Sequence, residues 1–162
     1  MFQTALIETA DKPEFYRVLA QQLQAFLEGE TDTVANAANA SALMFQMMPD
    51  LNWAGFYFLK DDELVLGPFQ GKPACVRIPV GRGVCGTAVN ERASILVEDV
   101  HAFPGHIACD AASRSELVVP IRHADEIIGV IDLDSPIPSR FDQDDQAGIE
   151  RLAEVFAASF RQ

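Results

Sequence analysis

The chain has 162 residues, 49% hydrophobic and 22% charged, which is the composition of a folded domain. Its 12 Lys and Arg against 24 Asp and Glu give a formal net charge of −12, which argues against nucleic acid or an anionic membrane surface as a partner. No apolar run has the length of a membrane span, and the first residues lack the pattern of a signal peptide. We therefore expect one domain covering residues 1–162 in the cytoplasm.

The first half of the chain predicts two helices and then three strands. Apolar residues recur at helical spacing after Asp11 and stop near Gly29, and Asp32 is a candidate N-cap for a second helix that ends before Pro49. Short aromatic and β-branched segments follow and predict strands. These segments are residues 52–60, 61–69 and 75–80.

The second half begins with a glycine loop and a short helix over 81–93, followed by a strand over 94–100. Residues 115–136 predict a hairpin whose turn is the His-Ala-Asp segment, and a last helix begins at Ser139 or Asp142. Short connections between neighbouring strands favour antiparallel pairing. We therefore expect an α+β domain with a central antiparallel sheet of about six strands, on which the N- and C-terminal helices pack.

The segment "GRGVCG", residues 81–86, matches the G-x-G-x-x-G pattern of dinucleotide-binding loops. The helix after it has only about two turns, too short for a crossover between parallel strands. Two helices, not a first strand, begin the chain. We therefore assign these glycines to a tight loop with positive φ angles, and we expect no nicotinamide cofactor.

The three cysteines, Cys75, Cys85 and Cys109, are too few and too isolated for a disulfide scaffold. Cys109 lies in a polar, turn-rich loop beside His106 and Asp110, where a nearby imidazole favours the thiolate. Cys85 lies near a predicted helix N-terminus, which also lowers a thiol pKa, so either residue could be a nucleophile. Cys75 has no activating neighbour, which suits a resolving thiol. The alternative is that all three are small buried apolar residues.

A zinc site is a further alternative for this loop, because His101, His106, Cys109 and Asp110 are all zinc-ligand types. The chain has no C-x-x-C pair, and the spacing of these four residues matches no compact zinc motif. We therefore expect no metal.

Two carboxylates occupy alternate positions of the last predicted strand. In "VIDLDSP", Asp132 and Asp134 face one side of the sheet while Ile131 and Leu133 face the other. Glu116, at the start of the partner strand, could join them. Clustered carboxyls raise one another's pKa, so that one can act as an acid, and they can also hold an ammonium group. An exposed strand end is the simpler explanation.

Four segments in order resemble the free methionine-(R)-sulfoxide reductases, a family of GAF-domain enzymes. They are "NWAGFY", "GPFQGKPACVRIPVGRGVCG", "VEDVHAFPGHIACDAASRSELVVPI" and "GVIDLDSP", and the resemblance covers roughly residues 50–160 with all three cysteines in place. It implies a GAF fold whose ligand pocket is covered by loops. It also implies reduction of the R epimer of free methionine sulfoxide, without a cofactor, by an enzyme that thioredoxin regenerates.

The resemblance also implies roles for individual residues. Cys109 would be the nucleophile that becomes a sulfenic acid, and Cys75 would resolve it as a disulfide. Cys85 is also a family feature, and whether it shares the resolving role with Cys75 stays open. Glu116 is our first choice of proton donor. The implied substrate-binding residues are Trp53, Tyr57, Glu116, Asp132 and Asp134.

Two other functions remain as alternatives. One is a GAF sensor module that binds a small ligand without chemistry, and the other is a thiol redox sensor without catalysis. The resemblance and the apolar end helices are compatible with a homodimer.

Overall fold

The computed structural model describes residues 3–160, and residues 1, 2, 161 and 162 of the predicted domain lie outside the described residues. Within the described residues, four helices and six strands follow the predicted order, and a 3₁₀ turn that was not predicted comes after the fourth strand. Within residues 3–160, no helix is long and apolar enough to cross a membrane. The elements are α1 Lys12–Leu27, α2 Thr33–Met47, β1 Trp53–Lys60, β2 Glu63–Gly71, β3 Arg77–Pro79, α3 Gly83–Glu91, β4 Ile95–Val97, the 3₁₀ turn Val100–Ala102, β5 Ser115–His123, β6 Glu126–Ser135 and α4 Gln143–Ser159.

The six strands form one sheet in the order β3-β2-β1-β6-β5-β4, and every neighbouring pair is antiparallel. This confirms the predicted sheet. The turn between β5 and β6 has positive φ at both Ala124 (50°) and Asp125 (65°). Two positive φ values are the signature of the tight hairpin turn whose twist matches that of the flanking strands.

Helices α1, α2 and α4 cover one face of the sheet, as predicted. Leu19 and Phe156 from the helices pack there with Ile131 and Leu133 from β6, and all four side chains are buried. Asp142, not Ser139, begins α4. The Asp142 carboxylate accepts from the backbone N–H groups of the first turn and completes a capping box with Asp145.

The opposite face carries α3, which joins β3 to β4 at the two edges of the sheet. A dinucleotide-binding unit needs a helix between neighbouring parallel strands, so "GRGVCG" does not form one. Gly81 and Gly83 have positive φ, 87° and 59°. A Cβ at Gly86 would lie 2.5 Å from the carbonyl oxygen of Pro79. The glycines thus allow a tight loop against β3, as the sequence indicated.

Candidate active site

The register of the sheet gathers the polar residues of three strands into one row. Trp53 of β1 lies opposite Asp134 of β6, and Asp134 lies opposite Glu116 of β5. Asp132 lies two positions before Asp134 and therefore on the same face. This face is the one away from α1, α2 and α4, so the predicted alternation of Asp132 and Asp134 with buried apolar residues is correct.

These residues line a cavity on the α3 side of the sheet. Its volume is about 40 Å³, room for a few water molecules, and the loops that carry Cys75 and Cys109 close over it. The structure therefore brings the predicted catalytic and substrate-binding residues together around one cavity. Cys75 is attached to the cavity wall through its disulfide with Cys109. The lining includes Trp53, Tyr57, Cys85, Cys109, Glu116, Asp132 and Asp134.

Cys75 and Cys109 form a disulfide across a sequence separation of 34 residues, with 6.0 Å between their Cα atoms. This is the pairing that the resemblance implies. The backbone N–H of Cys75 donates to Cys109 Sγ at 3.3 Å. Tyr57 Oη donates to the carbonyl of Cys75 at 2.9 Å, and Trp53 Nε1 donates to the carbonyl of Lys72 at 3.1 Å. The two aromatic residues thus hold the loop before β3 in place as well as walling the cavity.

Cys85 is a free thiol, buried in the first turn of α3. Burial raises its pKa well above the ordinary value, and the nearby carboxyls of Asp132 and Glu116 raise it further. The expectation that the helix N-terminus would favour the Cys85 thiolate is therefore wrong. A short helix cannot offset the loss of solvent and the negative charge that surround this sulfur.

Glu116 and Asp132 are buried and Asp134 beside them is partly buried, and each of the three has a pKa raised well above its ordinary value. Burial is the main cause for all three, and repulsion by a neighbouring carboxylate adds to it. Polar side-chain atoms of Asp132, Glu116 and Cys85 lie within 4.8 Å of one another, yet Asp132 Oδ1 is buried without a hydrogen-bond partner. The cluster can therefore supply a proton at one atom and still accept a hydrogen bond at another.

His106 contacts this cluster instead of joining a zinc site. Its Nε2 lies 3.3 Å from Glu116 Oε2, and burial lowers the pKa of the imidazole. His101 is turned to Asp99, with 3.1 Å between Nδ1 and Oδ1. Within residues 3–160, the ligand-type groups close enough to share an ion are Cys85, Glu116 and Asp132. Burial raises the pKa of all three groups and so disfavours the deprotonated forms that an ion would need, and we assign no metal to them.

Sequence reasoning missed several polar contributors to the site. Asn52 precedes Trp53 and bonds to Asp110 and Ser113, and Lys72 lines the cavity mouth with its ammonium 3.8 Å from Asp110. In the sequence, what pointed to Asn52 and Lys72 was their position inside the segments "NWAGFY" and "GKPAC".

The GAF domain family model matches residues 22–160. Over 142 residues, covering 88% of this chain and 86% of the relative, the sequence is 56% identical to free methionine-R-sulfoxide reductase of Escherichia coli (strain K12). The chain belongs to the free methionine-R-sulfoxide reductase family of GAF domains. These matches confirm the resemblance seen in the sequence and the GAF fold that it implied.

Two solved structures of the free methionine-R-sulfoxide reductase family superpose on the chain. That of Neisseria meningitidis, in complex with its substrate, is 42% identical, has a TM-score of 0.94 and covers 99% of this chain and 96% of its own. That of Staphylococcus aureus, also in complex with substrate, is 47% identical, has a TM-score of 0.87 and covers 98% of this chain and 100% of its own.

Proposed function

We propose that this chain reduces free methionine-(R)-sulfoxide to methionine, with Cys109 as nucleophile and Cys75 as resolving thiol. The observation that carries the proposal is the Cys75–Cys109 disulfide beside three carboxyls of raised pKa, two of which are buried. Reduction of a sulfoxide by a cysteine needs both a thiolate to attack the sulfur and an acid to protonate the oxygen. The family membership supports the same reaction.

The first step consumes one proton. The Cys109 thiolate attacks the sulfoxide sulfur and forms a transient S–S bond, while Glu116 transfers its proton to the oxygen. The resulting hydroxyl group passes from the substrate sulfur to Cys109 Sγ, so the substrate S–O bond and the transient S–S bond break, methionine leaves and Cys109 becomes a sulfenic acid. The Cys75 N–H donates to Cys109 Sγ in the disulfide form, and the same hydrogen bond would stabilise the thiolate. Asp132 and Asp134 are alternative donors, because their pKa values are also raised.

The second step returns the site to the state seen in the structure. The Cys75 thiol attacks the sulfenic sulfur, the new S–S bond forms, and water leaves. Cys85 takes no part in this scheme, since its buried thiol has a raised pKa. We propose that thioredoxin then reduces the bridge by thiol–disulfide exchange, which the exposed position of Cys109 allows.

Selectivity for the free amino acid follows from the carboxyl cluster. An α-ammonium group placed against Asp132 Oδ1 would give this buried acceptor a donor and would stabilise one ionised carboxylate. A methionine residue within a protein has no such ammonium, so its binding would leave the acceptor unpaired. Trp53 and Tyr57 would contact the methylthio end.

We further propose that residues 1–162 form one GAF domain, that it acts in the cytoplasm, and that it forms a homodimer. The packing of both end helices on the sheet supports the first point. Thiols that must cycle through a reduced state support the second. The relative amounts of monomer and dimer in sedimentation equilibrium would test the third.

The decisive experiment supplies purified protein with dithiothreitol and either epimer of free methionine sulfoxide. We expect loss of the R epimer only, and no turnover by the Cys109→Ser variant, because serine is a far weaker nucleophile than a thiolate. Cys85→Ser is the matched control and should keep most of the activity. Turnover of the S epimer, or full activity of Cys109→Ser, would refute the assignment. Binding of the sulfoxide without its reduction would favour the sensor alternative.

A further inference from the structure

The loop that carries Cys109 has no regular structure of its own. Residues 103–114 lie between the 3₁₀ turn and β5 without helix or strand, so contacts outside regular secondary structure hold Cys109 in position. Asn52 provides two of these contacts. Its Nδ2 donates to Asp110 Oδ2 at 3.1 Å and to Ser113 Oγ at 3.0 Å.

Asn52 is itself fixed to the row of carboxyls. Its backbone N–H donates to the carbonyl of Asp134 at 3.0 Å, and the next residue is Trp53 in the same row. Asp110 directly follows Cys109, so a single side chain connects the strand bearing the carboxyls to the residue next to the nucleophile.

The accepting carboxylate is well defined. Asp110 Oδ1 accepts from the backbone N–H of Ala112 at 2.9 Å, and the N–H of Ser113 donates to the carbonyl of Asp110 at 3.2 Å. These bonds, the Ala112 N–H first and the Asn52 amide second, lower the pKa of Asp110. The bond from Asn52 is therefore made to a charged acceptor, the stronger kind.

We propose that Asn52 is a positioning residue for the reductase reaction, whose amide holds the Cys109 loop at the working distance from the carboxyl cluster. This inference rests on the proposed function. A displacement of about 1 Å between reacting groups can cost on the order of 100-fold in rate. Asn52 does not touch the reacting atoms and acts through Asp110 and Ser113.

The test uses Asn52→Asp, which keeps the shape but turns the two donors into an acceptor facing the Asp110 carboxylate. We expect the single-turnover rate of sulfoxide reduction to fall about 10- to 100-fold, with KM changed less than about threefold. The swapped variant Asn52→Asp with Asp110→Asn restores a donor–acceptor pair and should recover most of the lost rate. Asn39→Asp, on the exposed side of α2, is the matched control.

Two further measurements make the outcome unambiguous. Thermal unfolding of each variant separates lost positioning from lost folding, and Asn52→Ala replaces Asn52→Asp if the latter does not fold. Closure of the 75–109 bridge after hydrogen peroxide treatment needs no sulfoxide, because peroxide oxidises Cys109 to the sulfenic acid and releases water. It should also slow in Asn52→Asp, so the positioning role is tested even if the proposed substrate is wrong.

An unchanged single-turnover rate and unchanged bridge closure in a folded Asn52→Asp protein would overturn the inference. A slow Asn52→Asp variant that the swap does not rescue would also count against it. Wild-type protein that closes the bridge with peroxide but does not reduce the sulfoxide would instead refute the proposed function.

Discussion

Glu116 carries its carboxyl in surroundings where ionisation is unfavourable. Its side chain is buried, its pKa is raised by that burial and by the charge of Asp134, and its neighbour His106 is also shielded from solvent. A glutamic acid that stays protonated near neutral pH can serve as a general acid.

This gives a pH-dependence prediction for Glu116→Gln. The wild-type rate needs the protonated acid, so it should fall as pH rises through the raised pKa of Glu116. The amide cannot give up a proton, so the variant should be about 100-fold slower and should lack this alkaline decline. Single-turnover rates between about pH 5 and pH 9 would show the difference. Identical profiles for both proteins would move the donor to Asp132 or Asp134.

Asp132 gives a prediction about stability. Its folded pKa is raised, so between the unfolded and folded values the folded state holds a proton that the unfolded state has released, and stability falls as pH rises. Asp132→Asn removes this dependence. We expect the variant to be more stable by about 1–2 kcal/mol near pH 8, with little difference near pH 4.

Urea unfolding at the two pH values measures this effect, and the same variant should lose substrate affinity. Asp62→Asn, at an exposed turn, is the control and should change neither property. A variant less stable than wild type near pH 8 would show that the Asp132 carboxylate is ionised and paired in the folded protein.

The sequence predicted individual site residues better than their environments. Strand alternation placed Asp132 and Asp134 on one face, and the predicted hairpin brought Glu116 towards them. Neither could place Trp53 in the same row, because register depends on which strands pair. The Cys85 thiol was misjudged for a related reason. A helix N-terminus is visible in the sequence, whereas the burial that raises the thiol pKa is a property of the folded molecule.

At the scale of elements, α1 and α4 pack through one very close contact. A Cβ at Gly148 would lie 2.0–2.4 Å from three ring carbons of Tyr16. The Tyr16 ring cannot easily move, since its hydroxyl donates to Asp145 Oδ1 at 2.6 Å and Asp145 also binds Lys12 at 2.6 Å. Glycine at this helical position therefore permits the approach of the two helices.

We predict that Gly148→Ala destabilises the protein by about 2–3 kcal/mol, although alanine is the better helix former. The added methyl must displace the Tyr16 ring and weaken its bond to Asp145. Equilibrium urea unfolding tests this, with Ala147→Gly on the exposed side of α4 as control, expected to cost about 1 kcal/mol. A stabilised Gly148→Ala protein would mean that the helices can separate at little cost.

The elements themselves were largely predictable. Asp11 and Asp32 cap α1 and α2 as their positions suggested, and the hairpin turn falls at Ala124 and Asp125. The order of the strands within the sheet was not predictable from the sequence. Periodicity identifies a strand but not its partner, so nothing local indicates that β1 pairs with the distant β6, or that β3 and β4 form the two edges.

At the scale of the whole molecule, the bridge between Cys75 and Cys109 closes a loop with a sequence separation of 34 residues. Restricting such a loop in the unfolded chain stabilises the fold by about 3–4 kcal/mol in the chain-entropy model. We predict that oxidised protein resists urea better than reduced protein by up to that amount. Unfolding with and without dithiothreitol measures the difference. It should vanish in Cys75→Ser and persist in Cys85→Ser, and any other pattern would mean that a different pair of thiols forms the bridge.

Strands β3 and β4 form the two edges of the sheet, and the disulfide connects segments that adjoin these strands. Cys75 lies just before one rim of the sheet, and the loop of Cys109 leads from the opposite rim. The disulfide between them spans the face of the sheet that carries α3, where it adds a covalent bond to the contacts of Lys72 and Asn52 with Asp110. Oxidation therefore adds one covalent constraint between segments that adjoin opposite edges of the sheet, and reduction removes it.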